Sequence, residues 1–342
     1  MSGKIDDDKI EFKPKFVERY SELTNFDEFK KTSLSFLRRS IRVNTLKTSI
    51  SEIKKSVGKD WLLEPIPWCK DGFWIEHKGV EVEDEEGNIE LVKRRDVGNI
   101  PEHQLGYFYI QEAASMIPPL VLEPKPGDVV LDMCASPGSK TTQIGMYMKN
   151  EGILVANDYK YDRIKSLGLN VQRCGLSNCV VTLMMGHLFS KLQQGHKEGV
   201  FDKILVDAPC SGTGTIRKSL KTLRIWNPDV VRRIAGQQKQ LIDTGFKLLK
   251  KGGTLVYSTC TLEPEEDEGI ISWLLDKYDG ESEESECMKA KIEKFELKGL
   301  KRSEPIMEFN GVKFNPKVKD CLRIWPQDNN TEGFFVCKIK KV

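Results

Sequence analysis

The chain has 342 residues, of which 39% are hydrophobic and 30% are charged, and its formal net charge is +2. This length is typical of two domains, and the composition is that of a globular protein. No stretch holds the roughly 18 consecutive apolar residues that a membrane span needs, so we expect no membrane partner. The small net charge excludes nucleic-acid binding through overall positive charge alone, and any RNA-binding surface must be local.

The first residues have no apolar core of the kind that a signal peptide carries, and we expect a cytoplasmic, reducing compartment. The nine cysteines are odd in number and include no Cys-x-x-Cys pair. Thiols scattered in this way pack in cores or act in catalysis more often than they form disulfides or hold zinc. The sequence therefore predicts no metal.

In chain order, the amino-terminal part comes first. Helical spacing over 16–37 precedes an extended segment over 40–44 and a hairpin centred on 86–88. These features predict a smaller α+β domain. Pro101 and Gly106 then interrupt any regular element, so the predicted domains are residues 1–104 and 105–342.

From residue 129 onward, short apolar runs alternate with amphipathic stretches of helical length. The runs occupy 129–131, 153–156, 180–183, 204–206 and 254–257, and a last one follows at 334–339. Runs that are apolar throughout fit strands buried on both faces, so the pattern predicts a doubly wound α/β domain with a mostly parallel sheet. The last run predicts an antiparallel strand at the end of that sheet.

Small and polar residues follow the first two strands, where open α/β sheets bind ligands. A turn of small residues over 134–140 lets a ligand approach the backbone, and Ser139 separates Gly138 from Lys140, which excludes a phosphate loop. Asp158 ends the second strand, where a carboxylate can accept both hydroxyls of a ribose. The alternative for Asp158 is a cap for the helix that follows.

Two cysteines follow the fourth and fifth strands. Cys210 lies in the run DAPCSG, and Cys260 lies in the run STCT. Strands four and five of such a sheet are usually neighbours roughly 4.8 Å apart, so the two thiols should converge on one cleft. A single cysteine is more often a small buried hydrophobe. Two of them beside Asp207 and Lys140 indicate catalysis.

These motifs resemble the Sun family (Sun/Nop) of RNA cytosine-5 methyltransferases. The resemblance covers the chain from about residue 40 to its end and rests on RVNTLK at 42–47, GYFYIQEAAS at 106–115, DMCASPGSK at 132–140, DAPCSG at 207–212, YSTCTLEPEE at 257–266 and GFFV at 333–336. The resemblance implies a Rossmann-like methyltransferase domain, S-adenosylmethionine as the methyl donor and structured RNA as the substrate.

The resemblance also implies covalent catalysis. Carbon 5 of cytosine is a poor nucleophile, but a thiolate that adds to carbon 6 turns the ring into an enamine that can attack a methyl group. The family assigns to the acid that matches Asp207 the stabilisation of charge at ring nitrogen 3. The Pro-Cys pair resembles the nucleophile of DNA cytosine methyltransferases, whereas the Sun family places its nucleophile in the Ser-Thr-Cys motif. We therefore assign Cys260 to attack and Cys210 to product release.

The donor site follows from the same resemblance. The methionine part of the donor is expected against Cys134, Ala135, Ser136, Pro137, Gly138, Ser139 and Lys140. Asp158 and Arg163 are expected to hold its ribose, while Lys140 and Asp207 contact the cytosine and border the donor. Family members usually show an Asp after the third strand, where this chain has Met184 and Met185. Either methionine could pack on the adenine, or both could belong to an apolar strand end.

Clusters of basic residues predict the RNA contacts, partly in the amino-terminal domain. The candidates are Arg38, Arg39, Arg42, Arg217 and Lys218. Solvated surface is the alternative for each cluster. No further RNA-binding domain is recognisable, which favours tRNA over ribosomal RNA. A nonenzymatic RNA-binding assembly factor and an amino-methyltransferase are the alternatives from other classes.

The acidic run 263–266 is expected to begin a helix and to have no catalytic role.

Overall fold

The computed structural model describes residues 11–83, 89–93, 96–193, 198–279, 281 and 288–342. Its strands form a small antiparallel sheet in the first third of the chain and a large mixed sheet in the rest. Within these ranges, no helix is long and apolar enough to cross a membrane. The same ranges contain no group of three or more His, Cys, Asp or Glu side chains that could hold a metal ion.

The amino-terminal part combines short helices with antiparallel strands. In chain order these are α1 (Pro14–Leu23), α2 (Phe26–Ser33), β1 (Ser40–Val43), α3 (Ile50–Ser56), β2 (Trp61–Ile66), β3 (Cys69–His77), β4 (Val80–Glu83), β5 (Ile89–Val92), α4 (Pro101–Gln104) and β6 (Phe108–Ile110). The small sheet has the order β2-β3-β1-β6. This α+β unit was predicted. The predicted hairpin turn at 86–88 lies outside the described residues, and the flanking β4 and β5 pair antiparallel.

The strand pairing favours a border between the two units that lies later than the predicted one. The predicted boundary after residue 104 coincides with the end of α4, but β6 pairs with β1 and completes the small sheet. We therefore propose a boundary after β6. The first two helices pack against the carboxyl-terminal part. Their residues Phe16 and Phe29 share a core cluster with Trp226 and Trp325.

The carboxyl-terminal part is a doubly wound α/β unit. Its elements are α5 (Ile117–Leu122), β7 (Val129–Asp132), α6 (Ser139–Tyr147), β8 (Ile153–Asp158), α7 (Tyr161–Cys174), β9 (Cys179–Leu183), β10 (Phe201–Asp207), α8 (Lys221–Ile225), α9 (Pro228–Leu248), β11 (Leu249–Thr259), α10 (Glu268–Lys277), β12 (Ala290–Ile292), β13 (Glu308–Phe309), β14 (Val312–Lys313), β15 (Leu322–Ile324), α11 (Pro326–Asn329) and β16 (Phe334–Lys341).

The large sheet confirms the predicted fold class. Its order is β12-β16-β11-β10-β7-β8-β9, and the five strands from β11 to β9 are parallel. Ile204 and Val206 face a core with α9 and α10, while Leu205 faces a core with α6 and α7, which explains why the run is apolar throughout. β16 is antiparallel, as predicted, but is not the edge strand, because β12 pairs along its outer side.

Arg42 joins the two units and is not an RNA contact. Its side chain is 1% exposed, and its guanidinium donates to the side chain of Gln111, to Ser139 O at 2.8 Å and to Thr142 Oγ1 at 2.9 Å. The last two acceptors belong to α6, directly after the small-residue loop. The predicted RNA contact of Arg42 is therefore wrong, because tertiary packing holds its guanidinium inside the protein.

Candidate active site

Two thiols meet at the carboxyl ends of β10 and β11. The strands are parallel neighbours, with Asp207 opposite Ser258 in the ladder. Both strands end at the same edge of the sheet, and Cys210 Sγ lies 3.3 Å from Cys260 Sγ. The thiols thus converge in the way that the strand order predicts.

A partly buried ion pair lies beside the thiols. Lys140, in the first turn of α6, donates from Nζ to Asp207 Oδ2 at 2.7 Å, and Asp207 Oδ1 accepts from Ser258 Oγ at 2.8 Å. The ammonium also lies 5.3 Å from the ring centroid of Phe334. Burial opposes the charge of Lys140, but the Asp207 carboxylate raises the pKa of the ammonium above its ordinary value. Lys140 therefore keeps its positive charge in the cleft.

The Cys210 thiol is held in its protonated form. The hydrogen bond to Cys260, together with burial, raises the pKa of Cys210 well above its ordinary value. A neutral thiol can donate a hydrogen bond to the neighbouring sulfur. The Lys140 ammonium is close enough to Cys260 to interact with it electrostatically. The neutral thiol of Cys210 can thus donate a hydrogen bond to the sulfur of Cys260.

Hydroxyl groups and two close backbone contacts hold the thiol loops together. Thr261 Oγ1 lies 2.7 Å from Ser211 Oγ and 3.0 Å from Thr213 Oγ1. Gly214 N donates to Cys260 O at 3.0 Å. A Cβ atom at Gly214 would lie 2.3 Å from the carbonyl oxygen of Gly333, so a larger residue would separate these segments. The backbone of the Cys260 loop is therefore fixed from two directions.

The acids after Cys260 are buried except for Glu265, and the predicted helix start is wrong. Residues 264–267 form a turn, and α10 begins only at Glu268. Glu266 has no exposed surface, and its Oε2 accepts from Ser211 N at 3.0 Å. Burial raises the pKa of Glu266 to about 7, although Ser211 favours the charged form. The turn directs carboxylates inward, under the loop that carries Cys210.

Arg323 of β15 balances part of this buried negative charge. Its Nη2 lies 2.5 Å from Glu268 Oε2 and 3.1 Å from Asp267 Oδ2. Asp267 Oδ1 in turn accepts from Thr259 Oγ1 at 2.5 Å. All three charged side chains are fully buried. The network fixes the end of β11 immediately before Cys260.

A second pair of acids, the half-buried Glu112 and the buried Glu332, supports the opposite side of the cleft. Glu112 Oε1 accepts from Glu332 N at 3.2 Å, and its Oε2 accepts from Ala114 N at 2.7 Å. Burial and the neighbouring Glu332 raise the pKa of Glu112 to about 8. The contact fixes the segment that continues into Phe334, the ring below Lys140.

The small-residue loop and the tip of β8 form the predicted donor side. Gly138 has φ +105, a conformation that favours glycine, at the start of α6. Asp158 is 1% exposed, and its carboxylate accepts from Ser136 N at 3.3 Å and from Lys160 N at 3.0 Å. Arg163 Nη2 lies 3.6 Å from the same carboxylate. The helix α7 begins at Tyr161 with no side-chain cap, so the capping alternative for Asp158 is not observed, and its carboxylate lies next to the proposed ribose partner Arg163.

A cavity of about 250 Å³ opens beside this loop. Side chains from five segments line it, among them Cys134, Asn157, Met185, Pro209, Gln240 and Leu241. Of the two methionines after β9, Met185 lines the cavity, whereas Met184 packs against the core. None of the described side chains in the lining is a carboxylate. Burial raises the pKa of the Cys134 thiol well above its ordinary value, so this thiol stays neutral.

The remaining basic candidates differ in exposure. Arg39 and Lys218 are exposed. Arg38 lies over the ring of Trp74 at 4.4 Å and pairs with Glu64. Arg217 is partly buried and donates to Phe36 O at 2.6 Å and to Thr331 O at 3.1 Å, among other acceptors. Its guanidinium joins protein segments, and we remove Arg217 from the predicted RNA contacts.

Several site residues were missed from the sequence. Glu112 and Glu266 lie inside the motifs QEAAS and LEPEE, and the closeness of these carboxylates to the catalytic motifs is the signal that could identify them. Neither of these motifs contains Gln238, Arg323 or Glu332. Only the packing of α9, β15 and the segment before β16 brings them to the thiol loops.

The chain matches known proteins over nearly its whole length. The family model described as 16S rRNA methyltransferase RsmB/F matches residues 119–340, and that of the N-terminal domain of 16S rRNA methyltransferase RsmF matches residues 12–113. The tRNA (cytosine(49)-C(5))-methyltransferase of Pyrococcus abyssi is 44% identical over 98% of this chain and 99% of its own length.

Two further similarities agree in family and fold. Ribosomal RNA small subunit methyltransferase F of Shewanella oneidensis is 40% identical over 97% of this chain, which spans 64% of that relative's length. The crystal structure of a methyltransferase homolog from Pyrococcus horikoshii has a TM-score of 0.74 at 32% identity and covers 96% of this chain and 100% of its own. The resemblance given by the motifs is confirmed. The chain belongs to the RsmB/F (Sun/Nop) family of RNA cytosine-5 methyltransferases.

Proposed function

We propose that this enzyme methylates carbon 5 of a cytosine in tRNA, with S-adenosylmethionine as the donor and Cys260 as the nucleophile. The observation that carries the proposal is the 3.3 Å separation of Cys210 Sγ and Cys260 Sγ beside the pair of Lys140 and Asp207. An RNA-binding assembly factor has no use for two thiols in contact. Methyl transfer to an amino nitrogen needs no covalent cysteine.

The donor suits the residues at this edge of the sheet. Loop 134–140 offers small side chains and backbone amides, and Asp158 with Arg163 stands at the tip of β8. The cavity beside Met185 combines apolar and amide side chains, which suits a purine. When bound, S-adenosylmethionine supplies an electrophilic methyl group on its sulfonium sulfur.

Attack begins at Cys260. Its thiolate adds to carbon 6 of the cytosine, which makes carbon 5 nucleophilic. Ring nitrogen 3 takes up a proton from solvent water as negative charge develops there, and returns it when the thiolate leaves. The Asp207 carboxylate, oriented by Lys140 and Ser258, accepts a hydrogen bond from that N–H group and stabilises it. The target base must leave its stack to reach a cleft of this kind.

Release depends on Cys210. The proton on carbon 5 passes to solvent water, its bonding electrons form the double bond between carbons 5 and 6, and the carbon–sulfur bond breaks. The sulfur of Cys260 leaves as a thiolate. The neutral thiol of Cys210, 3.3 Å away, donates a hydrogen bond to that thiolate and stabilises it.

The two thiols predict different defects when each is removed. Cys260→Ala should lose methyl transfer and form no protein–RNA adduct, because carbon 6 is never attacked. Cys210→Ala should transfer one methyl group and then remain bound to the RNA. A denaturing gel of enzyme incubated with donor and RNA shows the adduct as a slow band that ribonuclease removes. The double variant is the control without a band. A band with Cys260→Ala, and none with Cys210→Ala, would reverse the assignment.

The ribose role of Asp158 predicts weaker donor binding in its absence. Asp158→Ala should weaken donor binding by about 10- to 100-fold, since a hydrogen bond to a charged group contributes about 1.5–3 kcal/mol. RNA affinity should stay near that of the unmodified enzyme. Isothermal titration calorimetry with S-adenosylhomocysteine measures the effect, and Asp162→Ala, an exposed acid on the next helix, is the matched control. Equal donor affinity for both variants would refute the role.

The choice of tRNA rests on the Pyrococcus abyssi relative, which this chain matches over 99% of its length. Enzyme and donor should therefore protect a cytosine of tRNA from bisulfite conversion when unmodified tRNA and 16S ribosomal RNA are present together. Bisulfite sequencing of both RNAs from the same reaction measures this. Protection of a cytosine in the ribosomal RNA alone would mean that ribosomal RNA, and not tRNA, is the substrate.

The exposed basic residues predict a salt-dependent RNA contact. Replacing Arg38, Arg39 and Lys218 by Gln should reduce the slope of log affinity against log salt by about one for every phosphate that the variant no longer neutralises. Fluorescence anisotropy over a salt series gives the slope. Arg42→Met is the control, because this buried side chain should affect stability and leave the slope unchanged. A slope that these three replacements do not alter would locate the RNA on another face.

A further inference from the structure

A buried carboxylate and a buried amide hold the loop that carries Cys210. Glu266 Oε2 accepts from Ser211 N at 3.0 Å and from Gln238 Nε2 at 2.9 Å. The same amide nitrogen of Gln238 also donates to Pro209 O at 2.9 Å. The residues on both sides of Cys210 are therefore tied to one pair of side chains, which we call the Glu266–Gln238 clamp.

The clamp is inaccessible to water. Glu266 and Gln238 are each 0% exposed. A carboxylate is expensive to bury, because it loses its hydration and regains only part of that free energy through hydrogen bonds. Within the described part of the chain, Glu266 Oε1 and Gln238 Oε1 have no hydrogen-bond partner. Core packing alone gives no reason for such a pair, and its observed bonds are directed at the Cys210 loop.

The side chain of Glu266 serves one thiol loop and not the other. Its carboxylate accepts one hydrogen bond from Ser211 and one from Gln238, which also donates to Pro209. The end of β11 before Cys260 is fixed by other groups, because Thr259 bonds Asp267 and Tyr257 bonds the backbone oxygen of Glu266 at 2.7 Å. Loss of the Glu266 carboxylate therefore frees the Cys210 loop first.

We propose that Glu266, together with Gln238, is a positioning residue that keeps the Cys210 thiol in hydrogen-bond contact with the sulfur of Cys260 during product release. The inference rests on the release role of Cys210 proposed above. Glu266 takes no proton and touches no substrate in this mechanism. Without the clamp, attack and methyl transfer proceed, whereas the departing thiolate of Cys260 loses its hydrogen-bond donor.

The test compares the first turnover with release. Glu266→Ala should retain the first methyl transfer but lose multiple turnover and accumulate the protein–RNA adduct, like Cys210→Ala. Glu266→Gln keeps an oxygen that can accept from Ser211 N and should accumulate less adduct than Glu266→Ala. The matched control is Glu265→Gln, the neighbouring acid, which is 27% exposed and pairs with Arg19. This control should turn over normally and give no band.

Quenched-flow transfer of labelled methyl and a denaturing gel measure both steps on the same samples. A slower first turnover without adduct in Glu266→Ala would mean a merely structural role and would overturn the proposal. Should Glu266→Ala not fold by circular dichroism, Gln238→Leu provides the second variant. It removes the bond to Pro209 and should also accumulate adduct, and normal turnover by a folded Gln238→Leu would contradict the clamp.

Cys210→Ala in the same experiment separates this inference from the proposed function. An adduct with Cys210→Ala but none with Glu266→Ala leaves the release role intact and overturns the role of Glu266 alone. The absence of an adduct with Cys210→Ala removes the release role itself, and the inference about Glu266 is then wrong with it.

Discussion

The parallel pairing of β10 with β11 is the constraint on which the site depends. Adjacent strands lie roughly 4.8 Å apart, and the register sets Asp207 opposite Ser258. A slip by one residue would turn each side chain of one strand to the other face of the sheet. The observed register instead directs Ser258 toward Asp207 and lets the two loops continue together. The contact between Cys210 and Cys260 follows from this register and from the short distance that each loop travels beyond the sheet.

Strand pairing alone cannot hold loops beyond the sheet, and buried polar groups supply the remaining order. Glu266 and Gln238 bind the first loop, while Arg323 and Asp267 bind the strand end before the second. Burial of so many polar groups contributes little net stability, because the desolvation of charges offsets most of the gain. Their value lies in geometry, since each hydrogen bond excludes alternative loop conformations. A site that must position two sulfur atoms benefits from such directional contacts more than from apolar packing.

The sequence predicted the large sheet and both thiols for physical reasons. Apolar runs report burial on both faces of a strand, and the order of parallel strands brings the ends of β10 and β11 together. The environment of a charge is not encoded locally. Arg42 and Arg217 were expected at the RNA because they lie in basic clusters, yet tertiary contacts bury Arg42 and hold the guanidinium of Arg217 against neighbouring segments. The acidic run 263–266 was expected to begin a helix because local preference does not report distant partners such as Gln238, which binds Glu266.

The mechanism depends most on the identity of the sulfur that attacks carbon 6. RNA that carries 5-fluorocytidine at the target position should trap the adduct, because fluorine on carbon 5 cannot leave as the proton does. Trypsin cleaves after Lys203, Arg217, Lys251 and Lys277, so the two thiols fall on separate peptides, 204–217 and 252–277. Mass spectrometry of the trapped complex should find the nucleotide on Cys260 in peptide 252–277. A nucleotide on Cys210 in peptide 204–217 would contradict the mechanism.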